Sequence, residues 1–202
     1  AKECHIVNNL HRELAPISSS AWAQIEAEAR RTFTRNVAGR RVVDLLGPDG
    51  PTLSAVGTGH LRSLDPPSEG VLVRQREVQP VIELRAPFTV TRHAVDDVER
   101  GAQDSDWQPV KDAAKQIAFA EDHAIFHGFT AAGIAGIAPG SSNPALQIPA
   151  DVREFPDTVA RALSALRLAG VDGPYSLLLS ADLYTAIAET TDHGYPIRDQ
   201  LE

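Results

Sequence analysis

Apolar residues recur every three or four positions in four parts of the chain and lose that rhythm between them. Trp22, Ile25, Ala29, Phe33 and Val37 mark one face of a helix that Ser18, Ser19 or Ser20 can cap and Gly39 stops. Val110, Ala114, Ile117, Ala118, Ala124 and Ile125 mark a second, of about five turns. Asp106 is placed to cap it, Pro109 lies near its start and Gly128 is its stop. Asp157 heads a third helix carrying Val159, Leu163 and Leu166 and ended by Gly170, and "ADLYTAIAET" from Ala181 reads as a fourth.

Between the helices the pattern is extended. "RVVDLL" (41–46) and "YSLLLS" (175–180) read as short strands, the second buried, and "GPDGP" as a turn. From Leu53 to Val90 the chain is mostly strand-like, broken by the loop "SLDPPSEG". It carries charge on both sides and has few residues able to build a core. A two-stranded arm of this kind leaves its edges unpaired and its faces uncovered, so it needs a neighbour. "TAAGIAGIAPGSSNPALQIPAD" (130–151) is rich in Gly, Pro, Ser and Ala and reads as an irregular boundary between two lobes. Helices and a mostly antiparallel arm in separate blocks point to an α+β protein.

Charge and composition narrow the classes. With 19 Lys and Arg against 27 Asp and Glu, the net charge is −8, so affinity for nucleic acid or anionic lipid would need a local basic patch. The candidates are Arg30, Arg31, Arg35, Arg40 and Arg41, interleaved with apolar residues. Cys4 is the single cysteine, which excludes an internal disulfide and a multi-cysteine zinc site and fits a reducing cytoplasm. No run of 18 apolar residues occurs, and "AKECHIVNNLHRELAP" lacks the apolar core of a secretory signal. The expectation is a cytoplasmic product with no membrane partner.

Candidate chemistry is sparse. Asp96, Asp97, Glu99, Asp104 and Asp106 crowd eleven positions beside His93, but neighbouring carboxylates on either a helix or a strand diverge, and Arg92, Arg100 and Lys111 stand ready to pair with them. The stretch reads as a salt-bridged joint or hinge, with no metal. His123 and His127 have the four-residue spacing of zinc proteases, but "HAIFH" lacks the glutamate and a third ligand. "GTGHLR" at Gly57 lacks the third glycine and the following helix of a dinucleotide fingerprint. No G-x-S-x-G occurs, and Ser141 and Ser142 have no histidine nearby in sequence. Trp22 and Trp107 read as packing anchors. No catalytic residue, cofactor or enzyme activity is expected.

Three long segments carry a resemblance: "NNLHRELAPISSSAWAQIEAEARRTFTRNVAGRRVVD", "IELRAPFTVTRHAVDDVERGAQDSDWQPVKDAAKQIAFAEDHAIF" and "LRLAGVDGPYSLLLSADLYTAIAETTDHGYPIR". Together they resemble the encapsulins, the linocin-type family, and most closely its actinobacterial members, from Val7 onward. The resemblance implies a tailed-phage capsid-like fold. Residues 1–17 would be an N-terminal extension and arm, 18–52 the N-terminal helix and first strand of a peripheral domain, and 53–90 an extended loop pairing with a neighbouring subunit. Residues 91–130 would hold the spine helix and 131–202 an axial domain. The sequence has no family counterpart for residues 1–6, and the family continues past Glu202, so this form is expected to be truncated and to assemble poorly by itself.

The same resemblance implies a non-enzymatic shell subunit that self-assembles into a closed icosahedral nanocompartment. Its cargo would be a dye-decolourising peroxidase or a ferritin-like protein held by a C-terminal targeting peptide. Carried over by position, the cargo-peptide residues are Phe33, Val37, Arg40, Val42 and Asp44. Phe33, Val37 and Val42 offer apolar sockets, while Arg40 and Asp44 fix backbone or charge. "DHGYP" matches the five-fold loop, so His193, Gly194 and Tyr195 would line or flank a pore whose passage responds to pH. Two other readings stand beside this one. A phage-type capsid packaging DNA is disfavoured by the acidic balance, and a secreted bacteriocin or protease by the missing export signal and nucleophile.

Overall fold

Ser18 starts the first helix: its Oγ accepts the backbone N–H of Ala21 at 3.2 Å, and α1 runs over Ser19–Asn36. The computed structural model describes residues 11–201, so Cys4 and the first ten positions of the expected 1–17 extension lie outside the described residues. The chain divides into two compact units, Ala1–Pro139 and Gly140–Glu202. That division falls inside the Gly-, Pro- and Ser-rich stretch, at a single helical turn, Ile137–Gly140.

The first unit is built on helix packing. Ala21, Ile25, Glu28 and Thr32 form the buried stripe of α1, whereas Trp22, Ala29 and Phe33 are half-buried. The stripe is therefore turned by about one position from the large residues that the spacing singled out. The physical reason lies in the partner helix α3, Gln108–His127, which presents Val110, Ala113, Ala114 and Ala118. Small side chains let two helix backbones approach, so the seam selects alanines and pushes the bulky residues to its flanks. The core of the unit joins Ala21 and Ile25 to Ala94, Val95, Val98, Trp107 and Val110. Each fully buried Val or Ile there contributes about 1.5–3 kcal/mol of transfer free energy. Trp107 is the anchor expected of it, with its indole N–H donating to Gln24 Oε1 at 3.1 Å.

The acidic stretch differs from the sequence reading. Its first part, Arg92–Glu99, forms a helix, α2, while Asp104 and Asp106 lie in the irregular segment that joins it to α3. Thr91 Oγ1 caps it by accepting the N–H of Ala94 at 3.1 Å, and Ala94, Val95 and Val98 bury one face. Charge density masked a two-turn apolar stripe. The cap position of α3 is Trp107, not the expected Asp106, which stands two residues before the helix and accepts the N–H of Gln108 at 3.0 Å.

The arm is an antiparallel pair, β1 (Ala55–Leu64) with β2 (Val73–Pro80), running from Ala55↔Pro80 to Leu64↔Val73. Its register slips between Gly57 and Leu61, where Gly59 takes φ +81°. Thr58 Oγ1 donates to the Glu77 carbonyl at 3.1 Å and so satisfies backbone that the bulge leaves unpaired. "RVVDLL" is not a strand. Gly39–Arg41 form a helical turn and residues 42–46 are irregular, because no second segment among the described residues pairs with them.

In the second unit Asp151 caps a short turn that leads into α4, Phe155–Leu168. This helix begins two residues before the expected Asp157, with Pro156 in its first turn. α5, Ala181–Glu189, is capped by Ser180 Oγ on the N–H of Leu183 at 3.2 Å. Phe155, Ile187 and Ile197 make the core. "YSLLLS" is a correction as well: it is unpaired, with Leu177 and Leu178 exposed. These two leucines instead line an apolar cavity of 380 Å³ with Ile148 and Leu166. A two-residue-per-strand hairpin, β3 (Thr191–Asp192) and β4 (Tyr195–Pro196), follows α5. The result is mixed helix with two small sheets, in agreement with an α+β class.

Candidate functional site

α1 ends at a turn that α3 holds in place. The N–H of Gly39 donates to Asp122 Oδ1 at 2.7 Å, and that of Ala38 to both Asp122 oxygens, at 2.9 and 3.1 Å. Gly39 is buried against Ile125, and a Cβ at this position would lie 2.6 Å from the Ile125 Cδ1. A larger residue here would push the Ile125 side chain aside and crowd the Asp122 carboxylate.

The clamp aims Arg40. Its guanidinium lies 4.8 Å over the ring of Phe33 and forms a two-point ion pair with Glu121, Nη2 reaching Oε2 at 2.8 Å and Nε reaching Oε1. The hydrogen bond that Arg40 donates to Glu121 raises the Arg40 pKa above the ordinary arginine value. Of the five positions carried over by resemblance, the structure thus brings Phe33 and Arg40 into direct contact. Val37 is buried, at 6% exposure, and its N–H bonds the Phe33 carbonyl. Val42 is half-buried, its N–H bonded to Gly39, and Asp44 is exposed in the irregular segment beyond.

Beside Arg40 lies apolar surface that the sequence reading did not single out. Val43, Ile82, Leu84, Ile125 and Ile137 line a groove of 440 Å³, with Glu121 at its edge. The signal was available as "VIEL" (81–84), whose alternate apolar residues face one way, but it was absorbed into the arm.

The carboxylates of the acidic stretch do not converge. Asp96 faces Arg92 at 3.6 Å, Asp97 pairs with Arg100 and lies 3.6 Å from His93, and Glu99 accepts from Ser20 Oγ at 2.9 Å. Hydrogen bonds from Ser18 and then Ser20 lower the Glu99 pKa. His123 and His127 have ring centroids 5.1 Å apart on α3, both exposed. Among the described residues, no three His, Cys, Asp or Glu side chains gather as a metal would require.

His193 and Gly194 form the turn of the β3–β4 hairpin, with φ +48° and +86°. Two left-handed central residues match the twist of the flanking strands, which is why glycine occupies the second. Tyr195 is 71% exposed, and His193 Nε2 lies 3.8 Å from Asp192 Oδ1. No helix among the described residues is long and apolar enough to cross a membrane.

The class defined is an α+β chain whose described polar groups form clamps and salt bridges, with a long ribbon standing out from its helical unit. A family model described as encapsulating protein for peroxidase matches residues 7–202, and the chain belongs to that family. It is 63% identical over 195 residues to the type 1 encapsulin shell protein of Rhodococcus erythropolis, covering 96% of this chain and 74% of the relative. The type 1 encapsulin shell protein of Brevibacterium linens is 65% identical over 195 residues, with coverage of 96% and 73%. That of Mycobacterium tuberculosis is 59% identical over 195 residues, with coverage of 96% and 74%. The encapsulin resemblance read from the sequence is borne out.

Proposed function

We propose that this chain is a structural shell subunit that self-assembles into a closed icosahedral compartment, with the fold of tailed-phage capsid proteins, and that catalysis belongs to an enclosed enzyme. The observation that carries the reading is the β1–β2 ribbon. Val56, Leu61, Leu64 and Val78 are all exposed on it, on a two-stranded element that has no covering layer among the described residues. Such a ribbon gains stability by laying its apolar side chains and unpaired edges on another copy. Residues 53–90 are then the extended loop, 91–130 the spine helix of a peripheral domain that includes 18–52, and 131–202 belong to the axial domain.

The cargo, a dye-decolourising peroxidase or a ferritin-like protein, docks through a C-terminal peptide at the turn after α1. Phe33 and Val42 supply apolar contact, Arg40 and Asp44 fix charge and backbone, and buried Val37 supports the turn from beneath. The Arg40 guanidinium is already oriented by Phe33 and Glu121, so little side-chain entropy is lost when a peptide carboxylate or carbonyl reaches it. His193, Gly194 and Tyr195 flank a five-fold opening, with His193 beside Asp192 at the exposed turn of the hairpin. The compartment is cytoplasmic.

Electron microscopy and sedimentation of the gene product as purified from cells, with mass spectrometry of what co-purifies, test the proposal. Uniform closed particles containing an enzyme are expected. A concentrated protein that remains monomeric, or particles filled with DNA, would overturn it.

A further inference from the structure

The α1–α3 seam is alanine-rich at one end and changes character at the other. Glu28 and Thr32 are buried there, at 9% and 8% exposure, although a seam that only needed packing would place apolar residues at both. Thr32 Oγ1 donates to Glu28 Oε1 at 2.9 Å, and Arg31 pairs with Glu28 Oε2. The buried carboxylate is thereby satisfied and holds one guanidinium at the rim of a cleft of 560 Å³.

Arg35 lies one turn further along α1, and Lys111 and Lys115 stand one turn apart on α3, all lining the same cleft. Four residues of helix advance about 6 Å, so the cleft has two cationic rows, one on each helix. Arg35, Lys111 and Lys115 form no ion pair among the described residues. The adjoining concavity on the outer face of α1 shares Arg31 and Arg35 and adds Arg30 and Arg41. Four of the chain's 19 Lys and Arg thus line this cleft in a protein of net charge −8. Glu28 is the sole carboxylate lining the cleft among the described residues, and it is neutralised by its own arginine.

We propose that the cleft between α1 and α3, bounded by Arg31, Arg35, Lys111 and Lys115, binds an oligophosphate anion. Guanidinium forks match phosphoryl oxygens two at a time, and ammonium groups add compact charge opposite them. Two rows of cations suit several linked phosphoryl groups better than one isolated anion. The chemistry is shared by inorganic oligophosphate and by the phosphate tail of a nucleotide. The proposal is independent of shell assembly.

Lysine footprinting gives a direct test, because the chain has three lysines and two of them line the cleft. The 202-residue chain is acetylated with a limiting amine reagent at constant ionic strength, with inorganic tripolyphosphate, a nucleoside triphosphate or citrate present. Lys2 serves as the internal reference. Slower acetylation of Lys111 and Lys115 with both phosphate compounds, and little change with citrate, is expected. No protection, protection equal to that by citrate, or protection by the nucleotide alone would overturn the proposal.

In calorimetry, the Arg35→Gln/Lys115→Gln variant is expected to weaken tripolyphosphate binding by about tenfold or more, the equivalent of one charge-assisted hydrogen bond. Arg74→Gln/Arg76→Gln on β2 is expected to leave it unchanged, and equal losses in both variants would also overturn the site.

Discussion

Asp122 on α3 accepts the backbone N–H of Gly39 at 2.7 Å, across 83 positions of sequence, and so fixes where α1 ends. Both of its oxygens are also used by Ala38. Hydrogen bonds to a charged acceptor are worth about 1.5–3 kcal/mol, and removing the acceptor leaves two partly buried N–H groups unpaired. Asp122→Ala is expected to lower unfolding stability by about 2–3 kcal/mol. Asp122→Asn, which keeps one carbonyl acceptor, should lose less than half of that. Urea melts followed by circular dichroism measure both. Equal losses in the two variants would mean that packing, not the clamp, holds the turn.

Glu99 on α2 ties that helix to the start of α1 through Ser20 Oγ, and the serine hydrogen bonds lower its pKa. The folded state therefore prefers the carboxylate. Its contribution is present above the ordinary glutamate range and is lost as pH falls through the lowered folded value. Glu99→Gln is expected to melt at a lower temperature than the wild type at neutral pH and to converge with it in acid. Melting temperatures collected across pH measure this, and a gap between the curves that widens on acidification would contradict the assignment.

How far the residues announced this structure depended on which interaction set each element. The four helices read from the sequence were legible because their apolar spacing, and the Ser18 cap of the first, are local, whereas the Ser180 cap of the last was hidden inside a segment of strand composition. The two-stranded arm was legible for the same reason. α2 was hidden because its buried face is only Ala94, Val95 and Val98, while the visible residues are its charges. "RVVDLL" and "YSLLLS" have strand composition, but a strand exists only with a partner, and none among the described residues pairs with either. Phe33 and Arg40 were singled out by resemblance, and their stacking is a fact of the fold. Asp122 and the groove beside Ile82 and Leu84 were missed because their roles arise from contacts distant in sequence.

Gly128 and Gly136 bring two backbone segments into contact at the end of α3. Gly128 has φ +83°, and a Cβ on it would lie 2.7 Å from the Gly136 nitrogen and the Ile134 carbonyl oxygen. A Cβ on Gly136 would fall on the backbone of His127 and Gly128. Backbone cannot swing aside as a side chain does, so Gly136→Ala must part the segments. A loss of more than about 2 kcal/mol is expected, in the range of overpacked core substitutions. Gly133→Ala has open space around its Cβ but φ +66°, so it should cost only about 1 kcal/mol, the left-handed backbone penalty. Thermal melts of the two variants rank them, and the reverse order would show that the contact relaxes freely.

Leu61 and Val78 offer the sharpest test of the role assigned to the arm. They are 54% and 53% exposed on β1 and β2, so neither supports the core of its own chain. Their apolar area is nevertheless costly to leave in water, at roughly 25 cal/mol per Å². If that area is covered by a second copy, Leu61→Ser/Val78→Ser leaves the stability of the isolated subunit within about 0.5 kcal/mol of the wild type, the usual effect of a surface change. The same variant loses assembly, read as a shift from particles to slowly sedimenting species. Leu46→Ser, at a position 85% exposed outside the arm, is the matched control and should leave particle yield unchanged. Full particle yield from the arm variant would show that neighbouring copies do not read these side chains, and the ribbon would then need another partner.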